Sequence, residues 1–169
     1  SVVVLASDQA MTGGAATTLQ VGPNPYTVAL SHDGKTAYVS NQGGLTVSVV
    51  DLTTPFLAES DRIQVGTHPN ALALNPRKNE LYVANADSDT ISVIDTKTNV
   101  VVRTIDLSPY LGSREGSSPD ALAVSPDGKT LYVANALNND VAVIQLGANQ
   151  GRDQVQGLIP TAWYPTGLV

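Results

Sequence analysis

The sequence contains no cysteine among its 169 residues, which excludes disulfide scaffolds, thiolate zinc sites and cysteine nucleophiles. Charged residues make up only 14% of the chain, and the formal net charge is −6. Because binding to duplex DNA or to an anionic membrane requires clustered Lys and Arg, this acidic balance disfavours both kinds of partner. The longest apolar stretches are far too short to span a bilayer, so no membrane insertion is expected.

The residues that are present predict a folded and exported protein. Hydrophobic residues make up 42% of the chain, which is enough for a packed core. A chain without cysteine, weakly charged and rich in Thr, Asn and Ser is common among exported proteins. We therefore expect a secreted, periplasmic or cell-surface location.

A repeat runs through the chain, and its clearest element is Tyr-Val-x-Asn. The three copies begin at Tyr38, Tyr82 and Tyr132, so the intervals are 44 and 50 residues. An apolar run that starts with Pro precedes each copy, and an alternating apolar run follows it at the same offsets. The six extra residues of the longer interval fall between Asp95 and Pro119, where the Gly-, Ser- and Pro-rich stretch 108–118 predicts an inserted loop.

Each repeat predicts four short strands separated by turn residues. In the second repeat these strands cover 70–74, 80–84, 90–95 and 100–107, and they are rich in Val, Ile, Leu, Tyr and Thr. No long segment has the period of a helix, so almost no helix is expected. Four antiparallel strands in each unit of 40–50 residues are typical of a β-propeller blade, and the predicted fold class is all-β.

The first hairpin of the outer repeats carries an Asp-Gly pair, at Asp33-Gly34 and at Asp127-Gly128. This pair predicts a tight primed turn in which both central residues have positive φ. In the middle repeat Asn79 is expected to supply that geometry.

These segments resemble the YVTN family of β-propeller repeats, which occurs in surface-layer and other exported microbial proteins. The resemblance rests on Pro-x-Ala-Leu-Ala, on Asp-Gly-Lys-Thr-Leu-Tyr-Val-Ala-Asn and on Ile-Ser-Val-Ile-Asp. Ser40, Ala84 and Ala134 replace the Thr of the family motif, and Gln145 replaces its last Asp. The segments around His68-Pro69, Pro109-Tyr110 and Trp163-Tyr164 also resemble the propeller portion of proteins in which a propeller precedes a phosphoesterase domain of the alkaline-phosphatase superfamily.

The repeat divides the chain into three predicted blades, at 22–64, 65–108 and 109–160. Residues 1–21 read as the last strands of a preceding blade, and 161–169 as the first strand of a following one. This division predicts about half of a larger propeller with bare apolar faces, and hence self-association through open blade faces, with two chains completing one ring. The alternative is a small ring of four blades, one of them incomplete.

The candidate binding residues lie in loops that we expect at one end of the blades, or in the inserted loop. The polar mouth formed there would recognise a ligand or partner, whereas a purely architectural reading has Pro fix strand entry and Asn satisfy loose backbone groups. The inserted loop does not repeat, and such loops often carry specificity. The candidates are His68, Asn70, Arg114, Glu115, Asp120, Trp163 and Tyr164.

No catalytic residue, metal ligand or cofactor is predicted. His32 and His68 are the only two His, which is too few for a convergent metal site. The Asp87-Ser88-Asp89 segment reads as a polar turn rather than a calcium loop. Neither a Gly-x-Ser-x-Gly elbow nor a Gly-rich phosphate loop occurs.

The sequence thus predicts a non-catalytic binding or scaffold module of an exported protein, with a protein or cell-surface partner. Two alternatives stay open. The chain could be the propeller portion of a phosphoesterase-family protein, where it would shape access to a catalytic domain outside the chain. It could also be a propeller hydrolase of the lactonase type, because a fold alone does not choose a function.

Overall fold

The computed structural model describes residues 2–4, 17–54, 57–108, 116–149 and 151–168. The regular secondary structure in these ranges consists of β-strands alone. They form three four-stranded antiparallel sheets and one two-stranded sheet. The strands are β1 (Val2–Val4), β2 (Thr17–Leu19), β3 (Pro25–Leu30), β4 (Thr36–Asn41), β5 (Thr46–Asp51), β6 (Glu59–Gln64), β7 (Pro69–Leu74), β8 (Glu80–Asn85), β9 (Thr90–Asp95), β10 (Val100–Asp106), β11 (Pro119–Val124), β12 (Thr130–Asn135), β13 (Asp140–Asn149) and β14 (Arg152–Pro160).

Each four-stranded sheet is built from four strands consecutive in the chain, as in a propeller blade. We call β3–β6 blade 1, β7–β10 blade 2 and β11–β14 blade 3. The strands of blade 2 agree with the predicted ones to within one residue at each end. The predicted fold class, a partial β-propeller, is confirmed. The part of the chain that the structure describes has no helix long and apolar enough to cross a membrane.

The blades stack face to face, and their cores lie between them. The forward face of blade 1, made of Tyr38, Val47, Val49 and Ile63, packs on the rear face of blade 2, made of Leu81, Val83 and Ile94. The forward face of blade 2 packs in the same way on the rear face of blade 3; these faces include Tyr82, Ile91, Val93 and Ile105 on one side and Leu131, Val133 and Ile144 on the other. The inner strands β3, β7 and β11 lie next to one another.

Both end faces of this stack are partly open. On the rear face of blade 1, Leu19 of β2 packs against Ala37, Val39 and Val50, but Val28 and Leu30 on the same face are 48% and 55% exposed. The forward face of blade 3 is open among the described residues: Ile159 is 52% exposed, whereas the equivalent Ile63 and Ile105 are only 5% and 8% exposed. The stack therefore leaves an apolar surface without cover.

Polar contacts also join neighbouring blades. His32 Nε2 lies 2.8 Å from the backbone oxygen of Asn75, and the Asn75 side chain donates a 3.0 Å hydrogen bond to the backbone oxygen of Gly128. Arg103 of blade 2 contacts Glu80 at 2.8 Å and Asp153 of blade 3 at 2.6 Å. Side-chain hydrogen bonds and ion pairs thus reinforce the apolar contacts between blades.

The first hairpin does not have the predicted primed turn. Gly34 and Gly128 have positive φ, of 67° and 70°, but Asp33 and Asp127 do not. Each Asp instead accepts hydrogen bonds from a Ser two residues before it and from the backbone N–H of a Lys two residues after it. Such side-chain bonds close the turn with only one left-handed residue.

Asn79 was also wrongly expected to take the left-handed position, since its φ is not positive. In this hairpin the Asn75 side-chain oxygen accepts hydrogen bonds from the backbone N–H groups of Arg77 and Lys78, at 2.9 and 3.1 Å. An Asx-type turn therefore replaces the left-handed residue.

Candidate functional site

The loops that enter the inner strands pair with the loops that follow the second strands, at one end of the blades. The backbone N–H of Gln42 donates to Asn24 O at 2.9 Å, and that of Ala86 donates to His68 O at 3.0 Å. The same bond joins Ala136 to Ser118 in blade 3. We call this side of the molecule the loop-bearing end.

The residue before each proline of these strand-entry loops has a left-handed backbone conformation. The φ angles are 47° at Asn24, 57° at His68, 46° at Ser118 and 54° at Tyr164. A non-glycine residue in this conformation costs on the order of 1–2 kcal/mol, so the surrounding structure must hold it in place. Because the strain recurs at four equivalent positions, it belongs to the architecture of strand entry rather than to one functional site.

A Gly–Asn contact, not recognised in the sequence, recurs in blades 1 and 2. A Cβ on Gly22 would lie 2.4 Å from the Asn41 side chain, and one on Gly66 would lie 2.7 Å from that of Asn85. Gly22, Gly66 and Gly116 each stand three residues before the Pro that opens an inner strand, and this spacing could have revealed the contact.

The repeated Asn side chains of blades 1 and 2 bind side-chain hydroxyls, and Asn135 of blade 3 donates to the Asp140 carboxylate at 2.8 Å. Asn41 donates to Thr46 and Ser48, at 3.0 and 2.9 Å. Asn85 makes the equivalent bonds to Thr90 and Ser92. These Asn residues thus tie the second strand of a blade to the third, and they are buried parts of the scaffold.

Two candidate residues lie together near the start of the inner strands. Asn70, which is buried, accepts a hydrogen bond from Gln42 at 2.9 Å and donates one to Asp120 at 2.8 Å. This chain of bonds links all three blades. Among the hydrogen bonds of the described residues, none joins His68 to Asn70 or Asp120.

The remaining candidates are not brought into that group. Trp163 is 88% exposed, and the backbone N–H of Tyr164 donates to the Asn139 side chain at 2.7 Å. Arg114 and Glu115, with most of the inserted loop, lie outside the described residues. The role of the inserted loop in specificity stays a prediction.

A cleft of about 450 Å³ opens at the loop-bearing end between blade 1 and blade 2. On the blade 2 side, His68 Nδ1 lies 3.1 Å from an Asp87 carboxylate oxygen, and both side chains are partly exposed. The lining residues are Asn24, Gln42, Gly43, Gly44, Leu45, Thr67, His68 and Asp87.

The cleft is wide because two glycines follow the second strand of blade 1. The equivalent positions are Asp87-Ser88 in blade 2 and Leu137-Asn138 in blade 3. The corresponding cleft between blades 2 and 3 has only about 210 Å³ and includes Asp87 and Leu137 in its wall. Sequence reasoning selected His68 but missed Gly43, Gly44 and Gln42, because their role depends on a neighbouring blade.

The lining of the larger cleft is polar and carries little charge. It has one carboxylate, one imidazole, two amides and the Thr67 hydroxyl, and it includes neither Lys nor Arg. In the described ranges, no group of three or more His, Cys, Asp or Glu could hold a metal ion. The arrangement is therefore suited to hydrogen bonding with a small polar ligand.

Comparisons with known proteins agree with the architecture. A family model for YNCE-like β-propellers matches residues 25–114. Hydrazine synthase of Kuenenia stuttgartiensis is 31% identical, with a TM-score of 0.71 over 89% of this chain and 40% of that one. A periplasmic gluconolactonase of Pseudomonas aeruginosa is 20% identical, with a TM-score of 0.72 over 90% of this chain and 44% of that one.

A protein of Lactobacillus plantarum is 21% identical, with a TM-score of 0.72 over 94% of this chain and 50% of that one. The chain thus spans 40–50% of the length of these three solved chains. A search of curated proteins finds no match.

Proposed function

Because the chain belongs to the YncE-like β-propeller family, we propose that it is a non-catalytic binding module of an exported protein, and that it holds a protein or cell-surface partner at its loop-bearing end. The observation that carries this proposal is the cleft of about 450 Å³ between blades 1 and 2. Its size lies in the range of ordinary ligand sites. The amides of Asn24 and Gln42 bind hydrogen-bonding groups but do not transfer protons at neutral pH.

The test is a thermal-shift screen of sugars, amino acids, nucleotides and short peptides against two forms of the protein. The second form carries Gly43→Asp and Gly44→Ser, which convert the blade 1 loop to the residues of blade 2. Neither glycine has positive φ, so the backbone tolerates both changes. We expect at least one class of compound to raise the melting temperature of the wild type and not that of the double variant. If the two forms respond alike to every class, the cleft is not the binding site.

A second candidate function is hydrolysis of a lactone, and the His68–Asp87 contact favours it. A carboxylate that orients an imidazole is the arrangement of a general base, which could activate water for attack on a carbonyl. The similar Pseudomonas aeruginosa protein is a gluconolactonase, although its 20% identity extends the likeness only to the fold.

Glucono-1,5-lactone hydrolysis above the spontaneous rate distinguishes the two functions. We expect no turnover by the wild type. Turnover that is lost in His68→Ala and kept in His32→Ala, the matched control at the other His, would replace the binding function with the hydrolase.

The phosphoesterase association stays a prediction. It requires a catalytic domain encoded beside this chain, and the complete open reading frame decides it directly.

A further inference from the structure

We propose that the cleft between blades 1 and 2 binds a neutral, hydroxyl-rich ligand, that is, a carbohydrate unit of a surface glycan. This inference rests on the proposed binding function and names the class of its ligand. It follows from the hydrogen-bonding groups of the lining, from the absence of Lys and Arg there and from the glycines that open the cleft.

The polar groups of the cleft match hydroxyls, which both donate and accept hydrogen bonds. The Asn24 side chain is exposed and makes no hydrogen bond with the described residues. The Gln42 amide nitrogen donates to Asn70, and this bond leaves the Gln42 carbonyl oxygen free to accept. A sugar that presents several hydroxyls on one side can therefore form hydrogen bonds with both the Asn24 and the Gln42 side-chain amides.

The blade 2 side adds the His68–Asp87 hydrogen-bonded pair and a hydroxyl. Since Asp87 contacts His68 through Nδ1, the imidazole Nε2 remains available to a ligand. The Thr67 hydroxyl stands beside it in the lining. Carboxylates accept hydrogen bonds from hydroxyls more strongly than neutral oxygens do, so Asp87 favours a ligand rich in donors.

Other ligand classes fit the lining less well. A phosphate or carboxylate ligand requires Lys, Arg or a helix N-terminus, and the lining has none of these. A nucleobase prefers a large aromatic surface for stacking, and the lining includes no Phe, Tyr or Trp. An apolar ligand requires a mostly hydrophobic wall, whereas Leu45 is the single large aliphatic side chain here.

Gly43 and Gly44 favour a site at the boundary between blades 1 and 2 over one at the boundary between blades 2 and 3. A Cβ on Gly43 would lie 3.0 Å from the Asn24 amide nitrogen, so any larger residue there would press on the amide that the ligand uses. A Cβ on Gly44 would make only ordinary contacts, the nearest being 3.5 Å to Pro23. Gly43 thus leaves the Asn24 amide accessible.

The experiment records amide NMR spectra of the full chain during titration with glucose, maltotriose, cellotriose and N-acetylglucosamine. The anionic counterpart is glucose 6-phosphate, and Ca²⁺ and a neutral tripeptide are added separately. We expect a neutral saccharide to shift resonances of residues 42–45, 67–68 and 87 with a dissociation constant on the order of millimolar, as is usual for a small ligand in an open cleft. The Gly43→Asp/Gly44→Ser variant should weaken this binding roughly tenfold or more.

Asp87→Asn provides a second test, because it removes the carboxylate charge and keeps the size of the side chain. It should weaken saccharide binding by roughly threefold to tenfold, whereas His32→Ala should leave it unchanged. A folded spectrum for each variant is read from the same experiment.

The outcomes separate this inference from the proposed function. Shifts at the cleft caused by glucose 6-phosphate, Ca²⁺ or the tripeptide, with none from the neutral saccharides, would overturn the ligand class and retain a binding cleft. A cleft that no probe perturbs would count against the ligand class and the binding function together. Saccharide shifts that persist in the double variant would place the sugar elsewhere and overturn the inference.

Discussion

Arg103 connects two blades, because it binds Glu80 of blade 2 and Asp153 of blade 3, and Glu80 is its partner within blade 2. Burial alone would raise the pKa of Glu80, but hydrogen bonds from Arg103 and from the Tyr82 hydroxyl outweigh it, so the pKa lies below its ordinary value. Burial and the same Glu80 contact raise the pKa of Tyr82. Arg103 also binds Asp153 of blade 3, so the ionised form of Glu80 supports the interface between blades 2 and 3.

The Glu80→Gln variant should be less stable than the wild type at pH 7, by about 1–3 kcal/mol, because it replaces a charged hydrogen-bond acceptor by a neutral one. The free energy that Glu80 contributes is fully present above its unfolded pKa of about 4.5 and is lost as the pH falls through its lower folded value. Urea denaturation between pH 7 and pH 3 should therefore give a shallower fall of stability for Glu80→Gln. Asp61→Asn removes a charge of the same sign from β6 and serves as the control. If the free energy of unfolding falls equally with pH in the wild type and in Glu80→Gln, the pKa of Glu80 does not differ between the folded and unfolded states.

Among the elements, the first hairpins of blades 1 and 3 share the sequence Asp-Gly-Lys-Thr but differ in their surroundings. Gly34 and Gly128 both have positive φ. A Cβ on Gly34 would meet nothing within 4 Å, whereas one on Gly128 would lie 2.4 Å from the Asn75 side-chain oxygen of blade 2. Blade stacking therefore packs Gly128, but not Gly34, against a neighbouring blade.

The substitutions Gly34→Ala and Gly128→Ala should separate backbone strain from packing. Gly34→Ala should lower the free energy of unfolding by about 1 kcal/mol, since only the positive φ opposes it. Gly128→Ala should lower it by about 2–4 kcal/mol, because overpacking against Asn75 adds to the strain. Urea denaturation midpoints measure both values. A similar loss in the two variants would mean that Asn75 and Arg77 move aside freely.

At the scale of the whole molecule, the forward face of blade 3 is one of two partly open end faces among the described residues; the other is the rear face of blade 1, where Val28 and Leu30 are 48% and 55% exposed. The forward face of blade 3 includes Tyr132, Val141, Val143 and Ile159. The equivalent residues of blades 1 and 2 pack against the next blade. Tyr132 is only half-buried, while Tyr38 and Tyr82 are fully buried. Covering one aliphatic side chain of this face is worth about 1.5–3 kcal/mol, so we propose that a second copy of the chain associates there.

Sedimentation at micromolar to millimolar concentrations should show association of the wild type. Ile159→Lys should weaken it by at least roughly tenfold, because it places a charge in the apolar contact. Leu137→Lys is the control, since Leu137 is equally exposed but lies in the loop between β12 and β13. A wild type that stays monomeric throughout, or a loss of association in both variants alike, would contradict the proposal.

The sequence by itself determined the blades. The interval between the Tyr-Val-x-Asn copies, the alternating strands and the turn residues between them all act over a few neighbouring residues, so they specify four antiparallel strands per unit wherever the unit lies. The strands of blade 2 were predictable to within one residue for this reason. His68 and Asn70 could be selected as candidates from the sequence, because they flank a Pro whose position repeats.

The tertiary structure alone decided where a ligand could enter. The cleft joins Asn24 and Gly43 of blade 1 to His68 and Asp87 of blade 2, and its width depends on residues whose neighbours come from different repeats. The turn type of the hairpins and the exposure of Ile159 likewise depend on side chains or blades outside the local pattern. Periodicity repeats the same blade, whereas packing gives each copy different neighbours, and so only packing distinguishes one blade boundary from the next.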